Sequence, residues 1–289
     1  MTPSKTRAPA LMASLWMAGT LVSFMIMAIS GRELSQELST FEILFFRSLI
    51  GLAIISVILS KTGWGQVRTA RPILQITRNL AHYVGQFGWF YGISLLPLAQ
   101  VFALEFTIPI WVACLAPFLL GERVTAVRVA TIAIGFTGTL IILRPGMVPV
   151  SLASLAVLMA AGGYALAYIM TKLLSRTDPP ITILFYMTVV QLPLGLVPSL
   201  FDWVTPSPAL WPWLGVVGVT ALTAHYCLTR AFVLADALVV IPLDFLRLPL
   251  AALIGFVFYN ETLDVFVLIG AVIIFGGNFL GILRDAKAG

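Results

Sequence analysis

Long apolar blocks constrain this chain more than any other feature of its sequence. A helix that crosses a bilayer needs about 20 consecutive apolar residues, and blocks of that length follow one another along the whole chain, separated by charge, proline or glycine. They fall at about 9–30, 40–60, 72–95, 98–120, 126–143, 151–173, 181–201, 210–234, 238–259 and 265–283. The pattern predicts an all-α integral membrane protein whose ten transmembrane helices are called here predicted segments 1 to 10.

The composition excludes a soluble protein of the ordinary kind. Of the 289 residues, 60% are apolar and only 10% are charged, whereas soluble domains carry about 25% charged residues. The net charge of +5 comes from basic residues that are scattered between apolar blocks and form no dense run. We therefore expect the lipid bilayer as a partner, and no nucleic acid.

Lysine and arginine are distributed unevenly between alternate connections. The tails and the connections after segments 2, 4, 6 and 8 hold Lys5, Arg7, Lys61, Arg68, Arg71, Arg123, Arg128, Lys172, Arg176, Arg284 and Lys287. The other side holds only Arg32 and Arg144. Because cytoplasmic connections are enriched in basic residues, this asymmetry predicts a bacterial cytoplasmic (inner) membrane protein with both termini in the cytoplasm.

The two halves of the chain resemble each other. The motif at 43–46 returns at 183–186, and Ala-His-Tyr at 81–83 returns at 224–226. Further matches at one constant offset are Glu105-Phe106 with Asp244-Phe245, Glu122 with Glu261 and Gly138 with Gly277. Each half has five segments, so the second half must enter the membrane from the opposite side. This predicts two inverted five-helix repeats, residues 1–147 and 148–289.

A family resemblance rests on short motifs at the ends of segments 4 and 9. Gly121-Glu122 closes segment 4, Asn260-Glu261 closes segment 9, and the segments that follow are rich in glycine. With the five-plus-five repeat, the chain resembles the EamA-type drug/metabolite transporter superfamily over essentially its whole length. The resemblance implies a transporter that exports amino acids or other metabolites, and within the superfamily the chain is most similar to bacterial amino-acid exporters, including those for aromatic amino acids.

Ionisable residues at matched depths are the first candidates for a substrate site. His82 and His225 lie near the middle of segments 3 and 8, and Glu105 and Asp244 lie at corresponding depths in segments 4 and 9. Such groups are expensive inside a membrane unless water or a partner receives them. Pro109, four residues after Glu105, is expected to interrupt segment 4 there. The alternatives are polar contacts between helices and ordinary proline kinks.

Two arginines accompany these acids. Arg247 follows Asp244 by three residues and shares its helix face, so an ion pair within segment 9 is one expectation. Arg47 in segment 2 shares the depth of Glu105, so these two could pair across helices. If the arginines are instead available to substrate, they suit a carboxylate.

Aromatic residues complete the predicted site. Trp16, Trp111, Tyr83 and Tyr164 lie deep in their segments, where they form either an aromatic wall or simple packing. The predicted substrate-binding set is therefore Trp16, Arg47, His82, Tyr83, Glu105, Trp111, Tyr164, His225, Asp244 and Arg247. An aromatic wall beside charged groups suits an amino acid with an apolar side chain.

The glycines of segments 5 and 10 allow close backbone approach, so these segments are expected to form packing or oligomer surfaces, with a homo-oligomer as one outcome. Glu122 and Glu261 are expected at the membrane boundaries, each beside the amino end of the following helix.

The sequence as a whole predicts export of amino acids or related small metabolites by alternating access through a central cavity. The alternative is uptake or exchange of a nucleotide-derived metabolite such as S-adenosylmethionine. An enzyme is not expected, because no Gly-x-Ser-x-Gly, His-Glu-x-x-His or phosphate-binding loop appears. No cofactor is predicted, and no thiolate or carboxylate joins the histidines at metal-ligand spacing.

Overall fold

The computed structural model describes residues 7–120, 126–145, 147, 150–234 and 246–288. These residues form eleven α-helices and two short 3-10 turns, with no strand among them. The helices are α1 (Arg7–Leu34), α2 (Thr40–Thr62), α3 (Pro72–Leu95), α4 (Leu98–Glu105), α5 (Ile108–Leu120), α6 (Ala126–Leu143), α7 (Leu152–Leu174), α8 (Pro180–Ser199), α9 (Trp211–Leu234), α10 (Arg247–Tyr259) and α11 (Val265–Ala288). The all-helical prediction is confirmed.

Predicted segment 4 is divided into two helices. α4 ends at Glu105 and α5 begins at Ile108, with Pro109 four residues after Glu105, so the carbonyl of Glu105 cannot receive the usual helical hydrogen bond. The predicted interruption at Glu105 is therefore confirmed. The amino-terminal part of segment 9, with Asp244, lies outside the described residues, and α10 gives its remainder.

Local signals explain where several helices begin and end. Ser39 caps α2 in a capping box, in which its side chain accepts from the backbone N–H of Glu42 and the Glu42 carboxylate accepts from the backbone of Ser39. Pro72 and Pro180 occupy the first positions of α3 and α8, where a missing N–H is harmless. Asn260 ends α10 in the left-handed conformation, with φ of 52°. These boundaries follow directly from residue chemistry.

The helices pack mainly in pairs that join the two halves of the chain. α1 packs against α9, α3 against α7, α2 against α8, α6 against α11, and α4 against α10. Every one of these pairs takes one helix from residues 1–147 and one from residues 148–289. The two halves are thus interleaved, and a space between them is bounded by helices of both.

Close approach of α3 and α7 depends on glycine. A Cβ on Gly88 would lie 2.2 Å from the carbonyl oxygen of Ala156, and one on Gly163 would lie 2.8 Å from that of Ala81. These distances are far below van der Waals contact, so only glycine allows the two backbones to meet here. The crossing fixes the position of the middle of α3.

α6 and α11 use their glycines in the same way. A Cβ on Gly138 would lie 2.7 Å from the carbonyl oxygen of Gly270. The glycine faces expected to form packing or oligomer surfaces therefore meet inside one chain, through close backbone contact.

Four of the described helical stretches are long and apolar enough to cross a membrane by length and composition: Met12–Leu34, Thr40–Thr62, Leu152–Leu174 and Pro180–Ser199. α3 is equally long, but it carries a row of polar residues along one face. The stretch from Leu98 is divided at Glu105, and α10 is described only from Arg247. The fold is that of a multi-pass membrane protein.

Candidate functional site

α3 carries a row of buried polar side chains. Gln75, Arg78, Asn79, His82 and Gln86 recur every three or four residues, and none is more than 5% exposed. This spacing places them along one side of the helix. Polar residues at such depth in a membrane helix are rare and mark a pathway or a binding site.

An ion pair joins the end of α4 to the start of α10. Arg247 Nη1 lies 3.0 Å from Glu105 Oε1, and the indole N–H of Trp89 donates to Glu105 Oε2 over 2.9 Å. The guanidinium of Arg247 also lies over the ring of Phe24, 4.8 Å from its centroid. The end of α4 and the start of α10 thus bring the two charges together in the interior.

This pairing corrects the expected partner of Arg47, whereas the expected pair of Arg247 with Asp244 stays a prediction. Glu105 binds Arg247 rather than Arg47, and Arg247 reaches across to α4. Its expected partner within segment 9, Asp244, lies outside the described residues. The physical reason for the difference is helix rotation, since residues at equal depth pair only when their faces turn toward each other.

A second chain of hydrogen bonds starts at Arg47. Arg47 Nη1 donates to Gln86 Oε1 over 3.1 Å, and Gln86 Nε2 lies 3.0 Å from His82 Nδ1. Gln191 Nε2 lies 3.0 Å from the same His82 Nδ1 and also donates to the backbone carbonyl of Asn79 over 3.3 Å. Four polar side chains from α2, α3 and α8 therefore form one connected network in the interior.

Arg47 and Arg78 are buried cations without an acidic partner in the part of the chain that the structure describes. Arg78 donates to Thr171 over 3.0 Å and to Asn79 over 2.7 Å, both neutral groups. A buried charge that lacks a counter-charge is costly. Because no carboxylate of the described residues pairs with either guanidinium, the centre of the molecule is electropositive around α2 and α3.

A small cavity lies where these groups meet. Its lining residues come from both halves of the chain: Phe24, Met27, Arg47, Gln86, Trp89, Phe90, Glu105, Tyr164, Tyr168 and His225. The space inside holds about one water molecule. Among the described residues no group of three His, Cys, Asp or Glu could hold a metal ion.

The two histidines are neighbours beside this cavity. The rings of His82 and His225 are 5.4 Å apart, and the ring of Tyr164 lies 5.5 Å from that of His82. The internal repeat predicted them as related positions in one central cavity, and the structure brings them into contact. Arg47, His82, Glu105, Tyr164, His225 and Arg247 thus form one cluster.

Three other predicted site residues lie away from the cavity lining. The Tyr83 hydroxyl donates to the backbone of Leu194 on α8. Trp111 is 39% exposed on α5, beyond the break in segment 4. Trp16 packs edge-on against Tyr226. These aromatic residues stabilise contacts between helices in the conformation seen here.

Gln86, Gln191, Phe24 and Tyr168 also belong to this site, although the sequence did not predict them there. Gln86 could have been found, because it continues the polar row of α3 one turn beyond His82. Gln191 is a buried amide in the middle of apolar α8, which is itself an unusual feature. The two aromatic rings give no such signal, since aromatic residues are common throughout the chain.

The end of the molecule that holds Lys61, here the Lys61 end, is tied by Asp178. Its carboxylate accepts from Thr69 over 2.5 Å and from Gln75 over 2.8 Å, which joins the connection before α8 to the connection before α3. Burial alone would raise the pKa of Asp178, but the hydrogen bonds from Thr69, Gln75 and Thr177 and the charge of Arg71 outweigh it, so the pKa lies below its usual value. Asp178 is therefore charged at neutral pH.

The opposite end, here the Arg32 end, is tied by an ion pair and by hydrogen bonds to carboxylates. Arg32 Nη1 lies 2.9 Å from Glu261 Oε1, and the Tyr259 hydroxyl donates to Glu33 over 2.8 Å. Glu261 lies at a helix boundary as expected, but its carboxylate accepts from the backbone N–H of Leu98 over 2.8 Å, at the amino end of α4 and not of α11. It thereby satisfies one of the unpaired donors that begin α4. Its predicted counterpart Glu122 lies outside the described residues.

Several known transporters and a solved protein structure are similar to this chain over most of its length. A relative from Rickettsia prowazekii, named S-adenosylmethionine uptake transporter, is 27% identical over 273 residues, which cover 94% of this chain and 93% of that protein. A riboflavin transporter from Brucella anthropi is 31% identical over 252 residues, covering 84% of this chain and 88% of the relative. A protein crystal structure with 17% identity and a TM-score of 0.63 covers 99% of both chains and shows the same fold.

The family assignment follows from two matches in tandem. The model of the EamA-like transporter family matches residues 11–144 and again residues 151–283. Both halves of the chain, and hence both sides of the central cavity, are covered by the same family model. This chain therefore belongs to the EamA-like transporter family and is a membrane transporter of the drug/metabolite transporter superfamily.

Proposed function

We propose that this transporter takes up a metabolite that carries an α-amino-acid head group and a flat heterocyclic ring, with S-adenosylmethionine as the leading candidate. The observation that carries the proposal is Arg47, a buried guanidinium that lines the cavity and has no acidic partner among the described residues. A carboxylate of the substrate would provide the missing counter-charge. Arginine favours such a group because it can bind both oxygens at once.

The other cavity groups fit the rest of this substrate. The carboxylate of Glu105 lines the same space and can receive an ammonium group. Trp89 and Tyr164 provide aromatic surfaces for a purine ring and for a sulfonium ion, since cations are attracted to the faces of aromatic rings. The relative named S-adenosylmethionine uptake transporter supports the same choice.

Amino-acid export, the first expectation from the sequence, is the second candidate. It shares the α-amino-acid head group, so Arg47 and Glu105 would serve it equally well. The two candidates differ in the size of the ring and in the direction of transport. The relatives named above carry the names of transporters for S-adenosylmethionine and riboflavin, both of which have a fused heterocyclic ring, and this favours the larger substrate.

Transport by the purified protein in liposomes tests the choice. We expect saturable uptake of radiolabelled S-adenosylmethionine, with weaker or no flux of riboflavin, phenylalanine and tryptophan, measured with and without a pH gradient. Empty liposomes serve as the control. Saturable flux of phenylalanine or tryptophan without S-adenosylmethionine would replace the proposal with the second candidate. If riboflavin is the preferred substrate, the site does not recognise an α-amino-acid head group.

We also propose that residues 1–147 and 148–289 are two inverted repeats that move about the central cavity by alternating access. Exchange of the two halves leaves the pairings of the full-length helices unchanged, because α1–α9 becomes α7–α3 while α2–α8 and α6–α11 map onto themselves. The ties at the Arg32 end and at the Lys61 end are the contacts that such movement would make and break. No chemical conversion of the substrate is part of this mechanism.

Thiol labelling tests the inverted topology. In a background with both native cysteines replaced by alanine, we expect Gln36→Cys and Met147→Cys, at the Arg32 end, to react with an impermeant reagent added to intact bacterial cells. Ala70→Cys and Ser175→Cys, at the Lys61 end, are the matched controls and should react only after the cells are opened. All four residues are exposed in the structure. Labelling of the control pair from outside would reverse the proposed orientation, in which both termini face the cytoplasm.

Self-association stays a prediction. The glycine faces of α6 and α11 are occupied by each other within the chain, so a homo-oligomer would have to use the outer faces of these helices, where Phe136 and Val272 are exposed.

A further inference from the structure

The hydrogen-bond network around His82 fixes where that histidine carries its proton. Arginine only donates, so the Gln86 atom that faces Arg47 must be the carbonyl oxygen, and the Gln86 amide nitrogen must face His82. In the same way the backbone carbonyl of Asn79 only accepts, so the Gln191 atom that it binds must be the amide nitrogen. Both glutamines are therefore oriented by partners whose roles cannot change.

Two amide nitrogens then point at one ring nitrogen. Gln86 Nε2 and Gln191 Nε2 each lie 3.0 Å from His82 Nδ1. Since both are donors, Nδ1 must be the acceptor, and a neutral His82 carries its proton on Nε2. His82 Nε2 is thus a buried donor, and Gln191 Oε1 is a buried acceptor, each without a hydrogen-bond partner among the described residues.

We propose that Gln86 is a positioning residue that holds Arg47 toward the cavity and fixes His82 as a donor, so that His82 Nε2 and Gln191 Oε1 together bind the edge of the substrate's heterocyclic ring. Adenine presents a ring nitrogen that accepts beside an amino group that donates, which is the complement of this pair. Leaving both atoms unpaired in the interior is costly. A ring that satisfies both offsets that cost.

His82, one residue of this pair, lies beside the cavity. His82 contacts the rings of Tyr164 and His225, and both of these line the cavity. Gln86 lines it directly and links it to His82. The identity of the ring rests on the proposed function, whereas the position of the proton rests on the hydrogen-bond geometry alone.

Nitrogen NMR tests the position of the proton without any substrate. The chain has two histidines, so ¹⁵N-histidine labelling gives two imidazole rings, and His225→Asn leaves only that of His82. We expect a neutral His82 with its proton on Nε2 at neutral pH. In Gln86→Glu a carboxylate, which only accepts, faces Nδ1, and we expect a proton to move onto Nδ1. A wild-type proton on Nδ1, or a doubly protonated ring, would overturn the role of Gln86.

Competition with labelled S-adenosylmethionine tests the ring contacts. Adenosine is expected to inhibit uptake at a concentration at least tenfold lower than inosine, because inosine places a carbonyl oxygen where adenine has its amino group and so faces Gln191 Oε1 with a second acceptor. Gln191→Leu should remove this difference, whereas Gln100→Leu, a glutamine on α4 that donates to Ser154, should keep it.

The outcomes separate the two proposals. Equal inhibition of the wild type by adenosine and inosine would show that His82 Nε2 and Gln191 Oε1 do not bind the edge of the ring. Absence of S-adenosylmethionine uptake would reject the proposed function together with the choice of ring, and the NMR measurement would still decide whether Gln86 positions His82.

Discussion

Replacing Glu105 with glutamine is expected to lower the free energy of unfolding by about 3 to 5 kcal/mol, because the change leaves the guanidinium of Arg247 buried without this counter-charge. The amide keeps the shape of the carboxylate, so the loss comes from charge and not from packing. Thermal unfolding in detergent, followed by the loss of monomeric protein, measures the effect. Transport should fall as well, because the cavity loses its carboxylate.

The double variant Glu105→Gln/Arg247→Met is the control for this prediction. It removes both charges, and removing a buried pair together is often close to neutral in stability. We expect it to recover most of the stability lost in the single variant while transport stays low. If the single variant is as stable as the wild type, Arg247 does not depend on Glu105, and the ion pair has no structural role.

Replacing Arg47 with methionine is expected to reduce S-adenosylmethionine transport at least about 25-fold with little loss of stability. Arg47 pairs with no carboxylate in the described part of the chain, so its removal strands no acid. Losing a charged partner in a desolvated site costs about 2 to 5 kcal/mol of binding, and each 1.4 kcal/mol is about tenfold. Initial rates of uptake over a range of substrate concentrations measure the change.

A substrate without a carboxylate provides the matching control. Decarboxylated S-adenosylmethionine keeps the ring, the sulfonium and the amine, and its transport should differ little between the wild type and Arg47→Met. Equal losses for both substrates would mean that Arg47 shapes the cavity without binding the carboxylate. Unchanged transport of both would place Arg47 outside the pathway.

The helices could be predicted closely from the sequence, because their signals are local. Apolar length, the capping box at Ser39 and prolines at the starts of α3 and α8 define the boundaries one segment at a time. The interruption of segment 4 was predictable for the same reason, since it depends only on Pro109 and the residue four positions earlier. None of these features requires knowledge of a neighbouring helix.

The contacts within the site depend on helix rotation, which local signals do not report. Glu105 and Arg47 lie at equal depth, yet Glu105 turns toward Arg247 and Arg47 toward Gln86. Tyr83 follows His82 directly, and because consecutive helical residues differ by about 100° in direction, its hydroxyl reaches α8 while His82 contacts the rings of the cavity. Residues at similar depth in the membrane are candidates for contact, but only those whose helix faces turn toward each other form a pair.

The small size of the central cavity has a thermodynamic consequence for substrate binding. A space that holds about one water molecule cannot hold a nucleoside, so binding must separate Phe24, Tyr164 and the other rings that now fill the centre. The free energy of that separation offsets part of the free energy that the substrate gains from its contacts. The measured affinity equals the affinity of the open form multiplied by the fraction of molecules that are open. Substitutions that trim these rings would therefore raise the open fraction, and they would tighten apparent binding wherever this gain exceeds the loss of a contact.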